Sequence, residues 1–135
     1  MRNETVARIN GHDVIVMDSI SLIGAKDKDA VVISSSHGGA ISAGFALRHP
    51  PFLVAFNDAG GGRNGAGFAS LSLLDERKVA AVVIAHDSAA IGDSLDTWEN
   101  GIVSRCNDTA RERGIKEKTS IRKNVENILS QFTRQ

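Results

Sequence analysis

Two histidines and a carboxylate stand at corresponding points of three short stretches of the chain: His37 in VVISSSHGG, Asp58 in FLVAFNDAGGG and His86 in AAVVIAHDSAAIGD. Each lies just past an apolar run and just before small residues. A neutral imidazole takes and returns protons near neutral pH, and a carboxylate beside it orients the ring, takes a proton itself or binds a metal. Asp87 and Ser88 follow His86, the first as a second orienting group and the second as a hydroxyl to bind or attack a substrate. The candidate catalytic set is therefore His37, Asp58, His86, Asp87 and Ser88. The candidate ligand-binding set is Ser36, Gly38, Gly39, Asn57, Gly60, Gly61 and Gly62, because glycine lets the backbone come close to a ligand and expose its amides.

Each assignment has a structural alternative. Asp58 equally suits the role of cap for the amides of Gly60–Gly62. Serines at strand ends often cap helices, and Asp93 reads as a cap or turn residue. His12 and His49 fall in a turn and at a helix end and are set aside. His37, Asp58, His86 and Asp87 could supply metal ligands, but no close histidine pair or cysteine cluster enforces a coordination geometry, so no metal or other cofactor is assigned.

These residues need a scaffold that brings them together. The runs Thr5–Ile9 and Asp13–Met17 flank Asn10-Gly11, a dipeptide suited to a tight turn, and are expected to pair antiparallel. From Ala30 strand and helix patterns alternate: AVVISS, then GAISAGFALRH stopped by Pro50-Pro51, then FLVAF, GFASLSLLDERK and VAAVVIA. In DTWENGIVSRCNDTARERG the residues Trp98, Ile102, Cys106 and Ala110 recur every four positions, which predicts one long helix with Asp96 and Glu99 as its capping pair and Cys106 as an inert core thiol. The tail TSIRKNVENILSQFTRQ carries Ile121, Val125, Ile128, Leu129 and Phe132 on one stripe, a terminal amphipathic helix. This alternation predicts a single α/β domain, residues 1–135, built as a three-layer sandwich around a mainly parallel sheet of Rossmann-like or flavodoxin-like type. Parallel strands end on one edge, where ligands bind in open α/β sheets, so the three polar stretches should share a rim.

Several motifs come close to known ones. GGGRNG is a literal G-x-G-x-x-G at Gly60, Gly62 and Gly65, but Asp58 would set a negative charge where a pyrophosphate belongs, which leaves a smaller anion as the better fit. AISAG around Ser42 lacks the first glycine of a nucleophile elbow and begins well past the strand end. ISSSHGG resembles the His-Gly strand end of caspase-like proteases, but the neighbouring strand ends in Asn57-Asp58 with no thiol. Taken together, SSHGG, NDAGGG and HDSAAIGD resemble the motifs of a group of small bacterial α/β proteins to which no activity is attached. The resemblance spans most of the chain and implies a shared site without naming its chemistry.

Composition narrows the function. Sixteen basic residues balance sixteen acidic ones, which argues against a nucleic-acid partner. One cysteine forms no internal disulfide, and no run approaches membrane-spanning length, so the chain reads as a cytoplasmic, soluble protein without a membrane partner. With tyrosine absent and aromatics at 4%, the core must come from Val, Ile, Leu and Ala. The expected function is an enzyme that performs hydrolytic or proton-transfer chemistry on a small anionic metabolite, a carboxylate or phosphate. The alternative is a non-catalytic metabolite- or nucleotide-binding regulatory subunit that uses the same rim. A homo-oligomer is expected in either case, because a shallow rim is readily completed by a neighbouring subunit.

Overall fold

The computed structural model describes residues 1–132. The strands are β1 (Asn3–Ile9), β2 (His12–Met17), β3 (Val31–His37), β4 (Leu53–Asn57), β5 (Ala80–Ile84) and β6 (Val103–Cys106). The helices are α1 (Ala40–Arg48), α2 (Ala69–Asp75), α3 (Ser94–Asn100), α4 (Asp108–Glu112) and α5 (Ile121–Leu129). The expected hairpin forms, with Asn10 and Gly11 at φ 52° and 84°. An irregularity between Thr5 and Ala7 bulges the edge strand, a device that discourages pairing with another chain.

One mixed sheet holds all six strands in sequential order, with β2 to β5 parallel and β1 and β6 antiparallel at the edges. The sheet is thus α/β and mainly parallel, but its order never reverses. Both faces are covered. Ile15, Val32, Val54, Phe56, Ala81 and Val83 pack with Ala43, Ala46 and Leu74 of α1 and α2. Their alternates Val14, Ile33, Ala55, Val82 and Ile84 pack with Trp98, Ala110, Val125 and Leu129 of α3 to α5. Burial on both faces is why the inner strands read as unbroken apolar runs.

One expectation is overturned here. Residues 96–114 are not one helix: α3 ends at Asn100, Gly101 turns extended (φ −63°, ψ 138°), and β6 then pairs antiparallel with β5. A Cβ on Gly101 would stand 2.4 Å from the Thr97 carbonyl oxygen, so only glycine lets the chain leave the helix so tightly. The Asn107 side chain then caps α4 by accepting from the Ala110 amide. Trp98, Cys106 and Ala110 do share one core, but from three elements, α3, β6 and α4, that pack on the same face of the sheet. The capping residue of α3 is Asp93, which accepts from the Asp96 amide, rather than Asp96 with Glu99. The terminal helix runs only from Ile121 to Leu129; Phe132 lies beyond it and packs against Phe52, while residues 133–135 of the expected helix lie outside the described residues.

Candidate active site at the C-terminal edge of the sheet

β3, β4 and β5 run parallel and end on one edge, as the polar stretches require. The end of β3 is irregular. Ile33 pairs with Ala55 and His37 with Asn57, so β3 takes four steps where β4 takes two. The serines fill the gap. Ser34 donates to the Ala55 carbonyl, Ser35 donates to the Asp18 carbonyl and Ser36 accepts from the Ile20 amide. Their hydroxyls satisfy backbone groups that a bulged strand and the β2–β3 connection leave unpaired. Gly38 is buried where a Cβ would stand 2.5 Å from the Gly67 carbonyl oxygen, so it serves close packing.

Asp58 is the hub of the rim. Its carboxylate is buried and accepts from the Gly60 amide (2.8 Å) and the His86 amide (3.0 Å) on Oδ1, and from the Ser104 hydroxyl (2.7 Å) on Oδ2. The His86 ring contacts the same acid, with Nδ1 3.3 Å from Oδ1. Burial pushes the Asp58 carboxyl up, but the donors on Ser104, Gly60 and His86, with the nearby imidazole, outweigh it and hold the group below the usual carboxylate range. Asp58 thus caps the glycine loop and also contacts a histidine ring.

The glycine loop in turn seats three rings. Gly60, Gly61 and Gly62 all have positive φ (75°, 89° and 64°). A Cβ on Gly60 would stand 3.6 Å from Cε1 of His86, one on Gly61 3.1 Å from Cε2 of Phe68, and one on Gly62 3.9 Å from Nε2 of His37. Imidazole, phenyl and imidazole therefore lie against consecutive glycines. The His86 side chain is 56% exposed and His37 is exposed, so both rings are open to solvent above a loop anchored by a buried acid. Beside His37 a pocket of about 340 Å³ is lined by Gly39, Ala40, Ile41, Ser42, Ala66 and Ala69.

Other predicted site residues are placed differently. Asn57 is buried, with its amide nitrogen donating to the Ala89 carbonyl and its oxygen accepting from the Ala59 amide. Ser88 donates to the Ala85 carbonyl and accepts from the Ile102 amide, a clamp between the β5–α3 loop and β6. Asp87 is exposed. The glycine amides are mostly committed: Gly38 donates to Asn57, Gly39 to His37, and Gly60 and Gly61 to Asp58. Among the described residues only the Gly62 amide in this predicted set finds no acceptor. No group of three His, Cys, Asp or Glu side chains among the described residues is arranged to hold a metal ion. No helix among them is long and apolar enough to cross a membrane.

Three residues of the rim escaped the sequence reading. Ser104 lies on β6, inside the segment read as helix. Gly67 packs against the Asp58 backbone so closely that a Cβ would stand 2.0 Å from the Asp58 carbonyl oxygen. Asp18, at the end of β2, accepts from the amide and hydroxyl of Ser94 and from the Arg2 amide, fastening α3 and the N-terminal strand to the rim. Burial pushes its carboxyl up, but those donors prevail and hold it low. An acid one position past an apolar strand was the signal, identical in kind to that of Asp58.

The chain matches no protein-family model, and no curated protein or solved structure is significantly similar to it.

Proposed function

We propose that the protein is an enzyme that moves protons on a small anionic metabolite, with His86 as the principal acid–base group and Asp58 as its orienting acid. The observation that carries this reading is the 3.3 Å contact between His86 Nδ1 and Asp58 Oδ1, made by an exposed ring against a buried, ionised carboxylate. An acid at Nδ1 favours the tautomer that keeps its proton there, which leaves the Nε2 lone pair directed away from the carboxylate as a base. A buried acid with three further donors does not swing, so the ring it orients is preorganised.

His37, on the far side of the glycine loop, is the second acid–base group. A substrate lying over Gly60–Gly62 has an imidazole at either end, an arrangement suited to removing a proton from one atom and returning one to another, or to activating water and protonating a leaving group. The pocket beside His37, with Ala40, Ile41, Ala66 and Ala69 in its walls, suits a short apolar part of the same substrate. The finer reading of the fold as Rossmann-like belongs to this proposal only in its general sense, a ligand held beyond the carboxyl ends of parallel strands. The resemblance of SSHGG, NDAGGG and HDSAAIGD to the motifs of a small bacterial α/β group points to the same rim.

The test is a panel of small carboxylates and phosphate esters incubated with the protein in deuterated water and followed by proton NMR. Proton transfer registers as deuterium incorporation, and hydrolysis as a new product. Turnover of at least one compound that His86→Asn and His37→Asn abolish supports the reading. Turnover indifferent to both substitutions contradicts it, and a compound that binds at the rim without turnover favours the regulatory alternative.

A further inference from the structure

An anionic substrate creates an electrostatic requirement at this rim that the residues named so far do not meet. Asp58 is ionised, Asp87 stands exposed nearby, and the amides of Ala59, Gly60 and Gly61 already donate to Asn57 and Asp58. An arriving carboxylate or phosphate would meet negative charge and one free amide, that of Gly62. A cation has to offset this.

Among the described residues several arginines are committed elsewhere, Arg8 to Asp13 among them. Arg2 pairs with Glu4, Arg111 with Asp108 and Glu117, and Arg122 with Glu126, while Arg113 donates to the Phe52 carbonyl. Arg105 is different. It is exposed on β6, makes no ion pair among the described residues, and lays its guanidinium over the Phe68 ring with Cζ 4.0 Å from the centroid. Phe68 is the ring seated on Gly61, the glycine between those that face His86 and His37. The residue before Arg105, Ser104, holds Asp58. The contact with Phe68 and the position of Arg105 next to Ser104 on β6 set it beside the same loop. A guanidinium held over a ring, with no hydrogen-bond acceptor of its own, keeps N–H groups for a ligand, and its fork matches two oxygens of a carboxylate or phosphate. Arg63, the residue after the glycines, has no ring beneath it.

We propose that Arg105, held over the Phe68 ring, is the specificity-determining residue that binds the carboxylate or phosphate group of the substrate. This rests on the acid–base reading above and supplies its anion-recognition element. The positive charge over Phe68 also draws the anion to the middle of the loop, so that the reacting part of a small molecule reaches His86 or His37.

The experiment is a calorimetric titration of the full chain with inorganic phosphate and with malonate at low ionic strength, with the ring signals of His37 and His86 followed by NMR. Both anions are expected to bind the wild type and to shift those signals. Arg105→Gln should weaken binding about tenfold or more, the scale of losing charge-assisted hydrogen bonds. Arg105→Lys, which keeps the charge but not the flat fork, should recover only part of the loss, and Arg63→Gln should leave affinity within about threefold. Equal binding by wild type and Arg105→Gln overturns this assignment and leaves the acid–base site standing. Failure of the wild type to bind either anion overturns the anionic substrate itself, and the assignment of Arg105 with it.

Discussion

Ser104 Oγ stands 2.7 Å from Asp58 Oδ2, so the edge strand β6 holds the acid on which the candidate site is built. The hydroxyl lies 3.3 Å from the Val83 carbonyl as well, which places it where β5, β6 and the acid meet. Ser104→Ala removes a donor from a buried carboxylate oxygen. It should cost about 1–3 kcal/mol of stability, read as a lower urea midpoint at unchanged slope. A variant as stable as the wild type would mean that water replaces the hydroxyl at no cost.

The depressed Asp58 carboxyl makes a signed prediction about pH. A group whose folded pKa lies below its unfolded value contributes stability that is present above the unfolded value and is lost as pH falls through the folded one. Unfolding free energy should therefore decline as pH drops below the ordinary carboxylate range, and Asp58→Asn should flatten part of that decline. The remainder is shared by Asp18, described above, Asp75, held low by the Thr109 amide and hydroxyl, and Asp96, held low by the Ala90 amide and the Asn100 side chain. Urea titrations at a series of acidic pH values, on wild type and variant, measure it.

Glycines in the loop and in α1 should respond with opposite sign. Gly61→Ala forces a side chain onto backbone at φ 89° and sets its Cβ 3.1 Å from Phe68, so it should destabilise by about 1–2 kcal/mol and disturb the Phe68 ring. Gly44 lies within α1 with nothing within 4 Å of an added Cβ, so Gly44→Ala should stabilise by about 0.5–1 kcal/mol. Thermal unfolding of the two variants side by side checks the pair of signs.

Much of the scaffold was legible because its signals are local. Asn10-Gly11 sets a hairpin by its turn geometry, Pro50-Pro51 stops α1, and runs such as FLVAF are continuous because both faces of the sheet are covered. That His37, Asp58 and His86 gather on one edge follows from parallel strands alone. What stayed hidden depends on contacts between distant parts of the chain. The glycines of the rim look like an anion cradle in sequence, yet most of their amides are taken locally, Gly60 by the Asp58 carboxylate and Gly38, Gly39 and Gly61 by the backbone carbonyls of Asn57, His37 and Asp58. Ser88 looks like a nucleophile until Ile102, fourteen residues on, donates to it. Ser104 and Arg105 were out of reach once the four-residue spacing from Trp98 to Ala110 had been read as a helix, because that reading removed β6 and with it the side chains it brings to the acid. The strand order was equally hidden, since no local pattern distinguishes a sequential sheet from one that reverses.

The central claim is that Asp58 orients the His86 ring for acid–base work. Its most direct test is the tautomer of neutral His86, read from the two ring-nitrogen shifts by long-range proton–nitrogen NMR in wild type and Asp58→Asn. The predicted result is a proton on Nδ1 in the wild type, with that preference lost or reduced in the variant. A proton on Nε2, unchanged by the substitution, would contradict the account.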